Sequence, residues 1–481
     1  MSTGLHIDSG EFLYQQVVSM ILRMSDKSTI RPGDKLPSLR SLSRSLKVSV
    51  PTVRQGYIEL ERLGVIESRP KSGYFLKAKL QQSDNMRKPE LVTRPREVKK
   101  QILIEEVFDV IHQPGSIGLG LANPSSAYPS DKLLARIMRR VLANSGERAL
   151  TYAPMEGFAA LRRQLAARYL DRGIRVDPQD VLITNGGQES IAIALQCVAA
   201  TGDVIAVESP TYFGVLELIE SLGMKALEIP LCPAHGIAAA DVRHAIEKHP
   251  VKALIMSSSV SNPLGSWQDP NELQQIAAIL ENSQIPLIED DVYGELYFGE
   301  RCGGLARTHT QREGVLTCSS FSKTAAPGYR IGWLLAGRFH DQAKKVKRAL
   351  SCSSSLLNQW TLSEFIASGD YDRNLRRLRS VLKTNKQRAI SLVQESFPRG
   401  TKISDPSGGG VLWVELPSGI DGYQLFKTAM QHEISIAPGD LFSPSAKYKN
   451  FVRISFGIPW SDRVEAGYRT LGTLCCALVS E

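Results

Sequence analysis

From about residue 115 onward the chain alternates short apolar runs with stretches of helical periodicity, and this alternation restricts its fold more than any other feature. The runs Val181-Leu182-Ile183-Thr184, Val204-Ile205-Ala206-Val207, Ala253-Leu254-Ile255-Met256, Pro286-Leu287-Ile288-Glu289 and Val315-Leu316-Thr317-Cys318 read as buried strands. Several are followed by helical segments, so the expectation is an α/β domain with a mostly parallel sheet and helices on both faces. After Gly369 the pattern changes to a charged helix through Arg379–Ser391. Strands around Val411–Leu416 and Phe451–Phe456 follow, which predicts a smaller α+β C-terminal lobe.

Charge divides the chain differently. The 481 residues carry 58 Lys and Arg against 49 Asp and Glu, a net of +9. Residues 1–100 hold 19 of the basic and 10 of the acidic side chains, so the remaining 381 residues balance at 39 of each sign. A small basic module is thus joined to a large neutral one, and a basic face is how proteins meet phosphate backbones. With 42% hydrophobic and 22% charged residues the chain is neither disordered nor collagen-like. No stretch approaches the roughly 18 apolar residues of a membrane span, and Asp8 and Glu11 stand where a signal peptide is basic and apolar. A cytoplasmic protein with no membrane partner is expected. The seven cysteines (197, 232, 302, 318, 352, 475 and 476) include no C-x-x-C, which suggests neither a disulfide framework nor a zinc site.

Residues 1–79 read as a compact, mainly helical module. Leu13, Val17, Val18, Ile21 and Leu22 recur at helical spacing before the break at Arg31-Pro32-Gly33-Asp34. Ser38 is placed to cap a short helix carrying Leu39, Leu42 and Leu46. Ser49 or its neighbour caps a third helix, with Pro51 in its first turn and Val53, Tyr57, Leu60 and Leu63 on one face. Val65–Arg69 and Tyr74–Leu76 around Pro70-Lys71-Ser72-Gly73 then read as a hairpin, completing a winged helix-turn-helix. Residues 80–114 have the composition of a basic linker, and 115–481 form the large domain.

Arg40 and Arg44 share the second helix, Thr52, Arg54 and Gln55 stand near the start of the third, and Arg69 and Lys71 lie on the hairpin. Singly, each is most simply a solvated surface group. Together, on the helix that enters the major groove and its neighbours, they are the residue types that grip phosphates and read base edges. The segments Leu36–Ser43, Val48–Tyr57, Leu63–Ile66 and Ser72–Phe75 resemble the GntR-type DNA-binding domain. The resemblance implies a double-stranded DNA operator as partner.

In the large module Ser319-Ser320-Phe321-Ser322-Lys323 precedes Gly328-Tyr329-Arg330-Ile331-Gly332-Trp333, and Glu289-Asp290-Asp291-Val292-Tyr293 follows a strand. A pyridoxal phosphate site needs a lysine for the aldehyde, an acid for the pyridine nitrogen, and hydroxyls, an arginine and helix-terminal amides for the phosphate. A lone lysine is usually a surface charge. One among hydroxyls, with Arg330 seven residues on and a strand-end Asp and Tyr upstream, is not easily dismissed.

From about residue 115 to the end the chain resembles the fold type I aminotransferases. That likeness implies Lys323 as the Schiff-base lysine, Ser320, Ser322 and Arg330 as phosphate ligands, and Asp290 as partner of the pyridine nitrogen. It implies Tyr293 and Asn262 as donors to the ring oxygen, Gly187 and Gln188 in the loop under the phosphate, and Tyr212 stacked on the ring. It also implies Tyr152 reaching the phosphate of a neighbouring subunit, and Arg453 gripping a substrate carboxylate by a planar two-pronged contact.

The order of modules resembles the MocR subfamily of GntR-type transcriptional regulators. This implies a head-to-tail homodimer that binds DNA and pyridoxal phosphate and senses a small amino-acid-like effector, or the cofactor itself. The alternative is a pyridoxal-phosphate-dependent aminotransferase with an accessory DNA-binding module. The segregation of all net positive charge into the first 100 residues favours the regulator.

Overall fold

The computed structural model describes residues 13–26, 34–62, 65–69, 73–76, 86, 88–90, 94–111, 115–122, 130–299, 304–310 and 314–479. The chain divides into two compact units, Met1–Asp84 and Asn85–Glu481.

In the first unit, α1 (Leu13–Asp26), α2 (Leu39–Leu46) and α3 (Val50–Arg62) precede a hairpin of β1 (Ile66–Arg69) and β2 (Gly73–Leu76). As the sequence predicts, the N–H of Ser41 donates to Ser38 Oγ at 3.2 Å to cap α2, and that of Thr52 donates to Ser49 Oγ at 3.2 Å to cap α3. Between them Lys47 takes a left-handed φ of 55°, and Ser43 Oγ donates to the Val48 carbonyl at 2.6 Å, closing the turn of the helix-turn-helix. Val17, Ile21, Leu42, Leu46, Val53, Tyr57, Leu60 and Ile66 form a common core. Tyr57, wholly buried, donates its hydroxyl to the Pro37 carbonyl at 2.8 Å and so ties α3 to the chain entering α2. Ile66 pairs with Leu76 and Arg69 with Gly73 across the hairpin.

The second unit is built on a nine-stranded sheet. Its strands are β3 (Arg96–Glu97), β4 (Val181–Thr184), β5 (Val204–Ser209), β6 (Lys225–Cys232), β7 (Gly236–Ile237), β8 (Val251–Met256), β9 (Leu287–Asp290), β10 (Val315–Ser320) and β11 (Gly332–Leu335). They lie in the order β3-β6-β5-β8-β9-β10-β11-β4, with β7 against β6. The run β6-β5-β8-β9-β10 is parallel, while β11 runs antiparallel between β10 and β4. Every residue of β4, β5 and β10 is buried, the signature of strands covered on both faces. The covering helices include α5 (Gly187–Val198) and α6 (His340–Leu350). The C-terminal lobe has the long helix α7 (Asp370–Ser396) and an antiparallel sheet of β12 (Lys402–Ile403), β13 (Val411–Glu415), β14 (Ala437–Pro438) and β15 (Phe451–Ser455), ordered β12-β13-β15-β14.

The described residues of the expected linker 80–114 hold regular structure. Within it, β3 pairs antiparallel with β6 and forms the edge of the sheet, and Gln101–Ile111 forms the helix α4, which buries Ile104 and Val107. Val98 and Met86 are also buried, at 4% and 9% exposure. The basic composition upstream masks these contacts, because edge pairing is made by backbone groups that no side-chain pattern announces. Among the described residues no helix is long and apolar enough to cross a membrane.

Candidate functional site

The second unit's site lies where β4, β9 and β10 end, at the carboxyl edge of the sheet where open α/β folds bind ligands. After β10 the chain turns tightly: Ser320 Oγ donates to the Ile331 carbonyl at 3.1 Å, accepts the Ser322 N–H at 3.1 Å and lies 2.8 Å from Ser322 Oγ. That turn delivers Lys323, whose Nζ is 5.9 Å from the centroid of the Tyr293 ring. At the end of β9 Asp290 Oδ1 accepts the Val292 N–H at 3.0 Å, and Tyr293 donates its hydroxyl to the Ala122 carbonyl at 2.7 Å. Its neighbour Asp291 takes a different direction, into a two-pronged pair with Arg172 (2.5 and 3.1 Å) and a bond from Ser259 Oγ (2.9 Å).

Past β4 the loop of Gly186 and Gly187 makes close approaches possible. Gly186 has φ 93°, and a Cβ there would lie 2.6 Å from Arg330 Nη2, the atom that donates to the Asn185 carbonyl at 3.1 Å. A Cβ on Gly187 would lie 2.8 Å from Val292. Only glycines admit both neighbours, so the N-terminus of α5, at Gly187 and Gln188, lines the cleft. Gln188 Nε2 donates to the Gly214 carbonyl at 2.7 Å. The cleft brings together Gly187, Gln188, Tyr212, Asp290, Tyr293, Ser320, Ser322, Lys323 and Arg330.

Burial sets the protonation of these groups. It pushes the Lys323 ammonium down to about 8, helped by Arg453 and Arg330 and opposed by Asp290. Burial pushes the Asp290 carboxyl up to about 6, opposed by the Val292 N–H, so it is still an anion at neutral pH. The Tyr212 hydroxyl rises to about 12 and that of Tyr293 rises further, both by burial, which keeps them hydrogen-bond donors.

Three expected residues, Asn262, Arg453 and Tyr152, are not on the cleft lining. Asn262 is buried behind it, its Oδ1 accepting from Arg453 Nη1 at 3.0 Å, while Arg453 Nη2 donates to the Gly120 carbonyl at 2.7 Å. Arg453 Nε is buried and finds no hydrogen-bond partner among the described residues. Tyr152 is 89% exposed and does not line this chain's own cleft. Ile191 and Val292 line the cleft without having been expected; as apolar residues inside ordinary helical and turn patterns they carry no sequence signal. The aromatic rings of Phe442 and Phe213, with centroids 4.9 and 5.8 Å from the Arg453 guanidinium, were equally illegible.

In the first unit, Arg40, Arg44, Arg54 and Gln55 are exposed, while Thr52 is half-buried with its Oγ1 2.7 Å from Ser49 Oγ. Arg69 is placed by its strand position opposite Gly73, and Lys71 lies outside the described residues.

Residues 13–76 match the family of bacterial regulatory proteins of the gntR type, and residues 116–464 match aminotransferase class I and II. Two uncharacterized HTH-type transcriptional regulators of Escherichia coli are similar end to end. YjiR is 33% identical, covering 95% of this chain and 98% of its own, and YdcR is 34% identical, covering 96% and 98%. The chain belongs to the MocR subfamily of GntR-type regulators. Among solved structures, LysN, the alpha-aminoadipate aminotransferase of Thermus thermophilus complexed with N-(5'-phosphopyridoxyl)-L-leucine, is 25% identical, with a TM-score of 0.71 over 80% of this chain and all of that one. This MocR protein is a DNA-binding transcriptional regulator whose aminotransferase-like domain takes pyridoxal 5'-phosphate as cofactor. The cleft fits that group: a lysine whose pKa is lowered toward neutrality, a carboxylate anion, paired hydroxyls, an arginine and a helix N-terminus face one space.

Proposed function

We propose that this regulator grips its operator through Arg40, Arg44, Thr52, Arg54, Gln55, Arg69 and Lys71, and changes that grip when an amino compound enters the cleft. Pyridoxal phosphate, when bound, supplies an aldehyde that condenses with amines and a ring that accepts electrons. The chain's own residues supply the rest. Nζ of Lys323 is the amine held partly neutral at neutral pH, and Asp290 holds a proton at the pyridine nitrogen. Ser320, Ser322, Arg330 and the amides at Gly187 and Gln188 take the phosphate. Tyr293, its hydroxyl turned from the Ala122 carbonyl, and Asn262, through its Nδ2, would donate to the ring oxygen, and Tyr212 would lie against the ring. Tyr152 reaches the phosphate of the second subunit in a head-to-tail homodimer, and the protein works in the cytoplasm.

The observation that carries this reading is the placing of Arg453. It stands on β15 of the C-terminal lobe, with one nitrogen already bonded to Asn262 of the large domain and another buried without a partner among the described residues. A carboxylate accepting from Arg453 would therefore engage one lobe while its amino group lies beside Lys323 of the other. A ligand spanning both favours the lobe arrangement in which both contacts are made, and its influence on DNA binding equals its differential affinity for the two arrangements. The effector is accordingly an amino-acid-like compound.

The test is fluorescence anisotropy of the purified protein on DNA from upstream of its own gene, with random DNA as control, at physiological salt. Specific binding at least about a thousandfold tighter than to random DNA is expected, with a shift when cofactor or amino acids are added. Equal, salt-sensitive binding to both DNAs, together with multiple-turnover transamination, would replace the regulator reading with that of an enzyme.

A further inference from the structure

The segment Tyr152–Gly157 is held firmly for one whose leading side chain is 89% exposed. Three residues after Tyr152, the Met155 carbonyl accepts from Nζ of Lys347 at 2.8 Å. The same ammonium donates to the Cys352 carbonyl at 3.1 Å, and the Lys347 side chain on α6 is wholly buried. One turn earlier on α6, Lys344 pairs with Glu156 at 2.8 Å. The Glu156 carbonyl accepts the N–H of Ile183 on β4 at 2.9 Å, and the Phe158 N–H donates to Gln359 Oε1 at 2.7 Å. Gly157, at φ 110°, passes so close to β4 that a Cβ would lie 2.2 Å from Ile183 Cγ1.

Burying an ammonium is costly unless its donors are satisfied. Here the acceptors are loop carbonyls, and burial lowers the ammonium's pKa while Glu189, Cys352 and Glu156 support the charge. Glu189 in turn holds Asn185 through its N–H (2.5 Å) and Nδ2 (3.2 Å), and the Asn185 carbonyl anchors Arg330. The lysine thus bonds two loops at once, that of Cys352 and that of Met155, which projects Tyr152 outward.

We propose that Lys347 is a positioning residue whose buried ammonium clamps the Met155 carbonyl and so fixes the direction in which Tyr152 leaves this chain for the cofactor cleft of a second copy. This rests on the reading of Tyr152 given above. The function assigned to Tyr152 needs a preset trajectory, because an exposed tyrosine on a slack loop loses more entropy on docking than one already aimed.

The experiment measures retention of pyridoxal phosphate by the full-length protein, from its dissociation constant in a fluorescence titration, for Tyr152→Phe, Lys347→Met and the double variant. Tyr152→Phe and Lys347→Met should each weaken retention about tenfold, the scale of one hydrogen bond, and the double variant should lose no more than either. Combined with Ser322→Ala, a contact within the same chain's cleft, Lys347→Met should instead add its full effect. Should Lys347→Met fail to fold, Glu156→Gln, which only loosens the half-exposed pair with Lys344, should give a smaller loss of the same sign that vanishes in the Tyr152→Phe background. Additive losses of Lys347→Met and Tyr152→Phe, or no loss from Lys347→Met while Tyr152→Phe weakens retention, overturn the role of Lys347 alone. Unchanged retention in Tyr152→Phe overturns the Tyr152 reading and the inference with it.

Discussion

The cleft contains an amine and a carboxyl whose proton affinities burial has moved toward each other, and each yields a test. With Lys323 near 8, its reaction with an amine reagent in cofactor-free protein should climb through about pH 8, where an ordinary lysine responds near 10.4. Borohydride reduction should fix the cofactor covalently to the native chain, and Lys323→Ala should release all of it on denaturation. Asp290 runs the other way. Burial raises its folded pKa from the ordinary 3.8 to about 6, so the folded state holds this proton more tightly than the unfolded chain. Between those values stability falls as pH rises, and the cost is complete above about pH 6. Asp290→Asn should therefore raise the melting temperature of the cofactor-free protein at pH 7 by several degrees, should leave it unchanged below about pH 4, and should weaken cofactor retention. Lys323, Ser320 and Arg330 were legible because they fall close together in one run. The Arg453–Asn262 bond was not, since its partners stand 191 residues apart and nothing local marks them as neighbours.

At the scale of elements, five strands of the large sheet, β4, β5, β8, β9 and β10, were readable because burial on both faces demands continuous apolar runs, whereas β6 and β11 were not read as strands. The two-residue strand β3 was unreadable for the complementary reason: its exposed Arg96 and Glu97 contribute only backbone pairing. The helix-turn-helix was fixed by its caps, and Ser38→Ala should cost about 1 kcal/mol, read as faster hydrogen exchange in α2. On α3 the exposed Arg54 and Gln55 lie opposite the buried face of Val53, Tyr57 and Leu60. Replacing Arg54 with Ala should weaken operator binding, and the test separates two roles. A phosphate contact lowers the slope of log affinity against log salt by about 0.9 and weakens all DNA alike, whereas a base contact relaxes specificity at one position with the slope intact.

For the whole molecule, a regulator that couples cleft and operator must do so reciprocally. If an amino compound changes operator affinity tenfold, operator DNA must change the affinity for that compound tenfold; titrating the compound with and without DNA checks this, and an effect in one direction only would sink the coupling. The segment leading into the second unit bears on how such coupling is carried. Met86 is buried, Lys88 pairs with Asp241, the Glu90 carbonyl accepts from Lys447 at 2.8 Å, and β3 then joins the sheet edge. In mechanical terms this is a row of stitches rather than a single knot. A pull along the chain loads them in turn, and undoing the first three while β3 holds pays out up to about 30 Å of backbone at 3.3 Å per residue. Each step is set by one modest contact on the surface of the second unit.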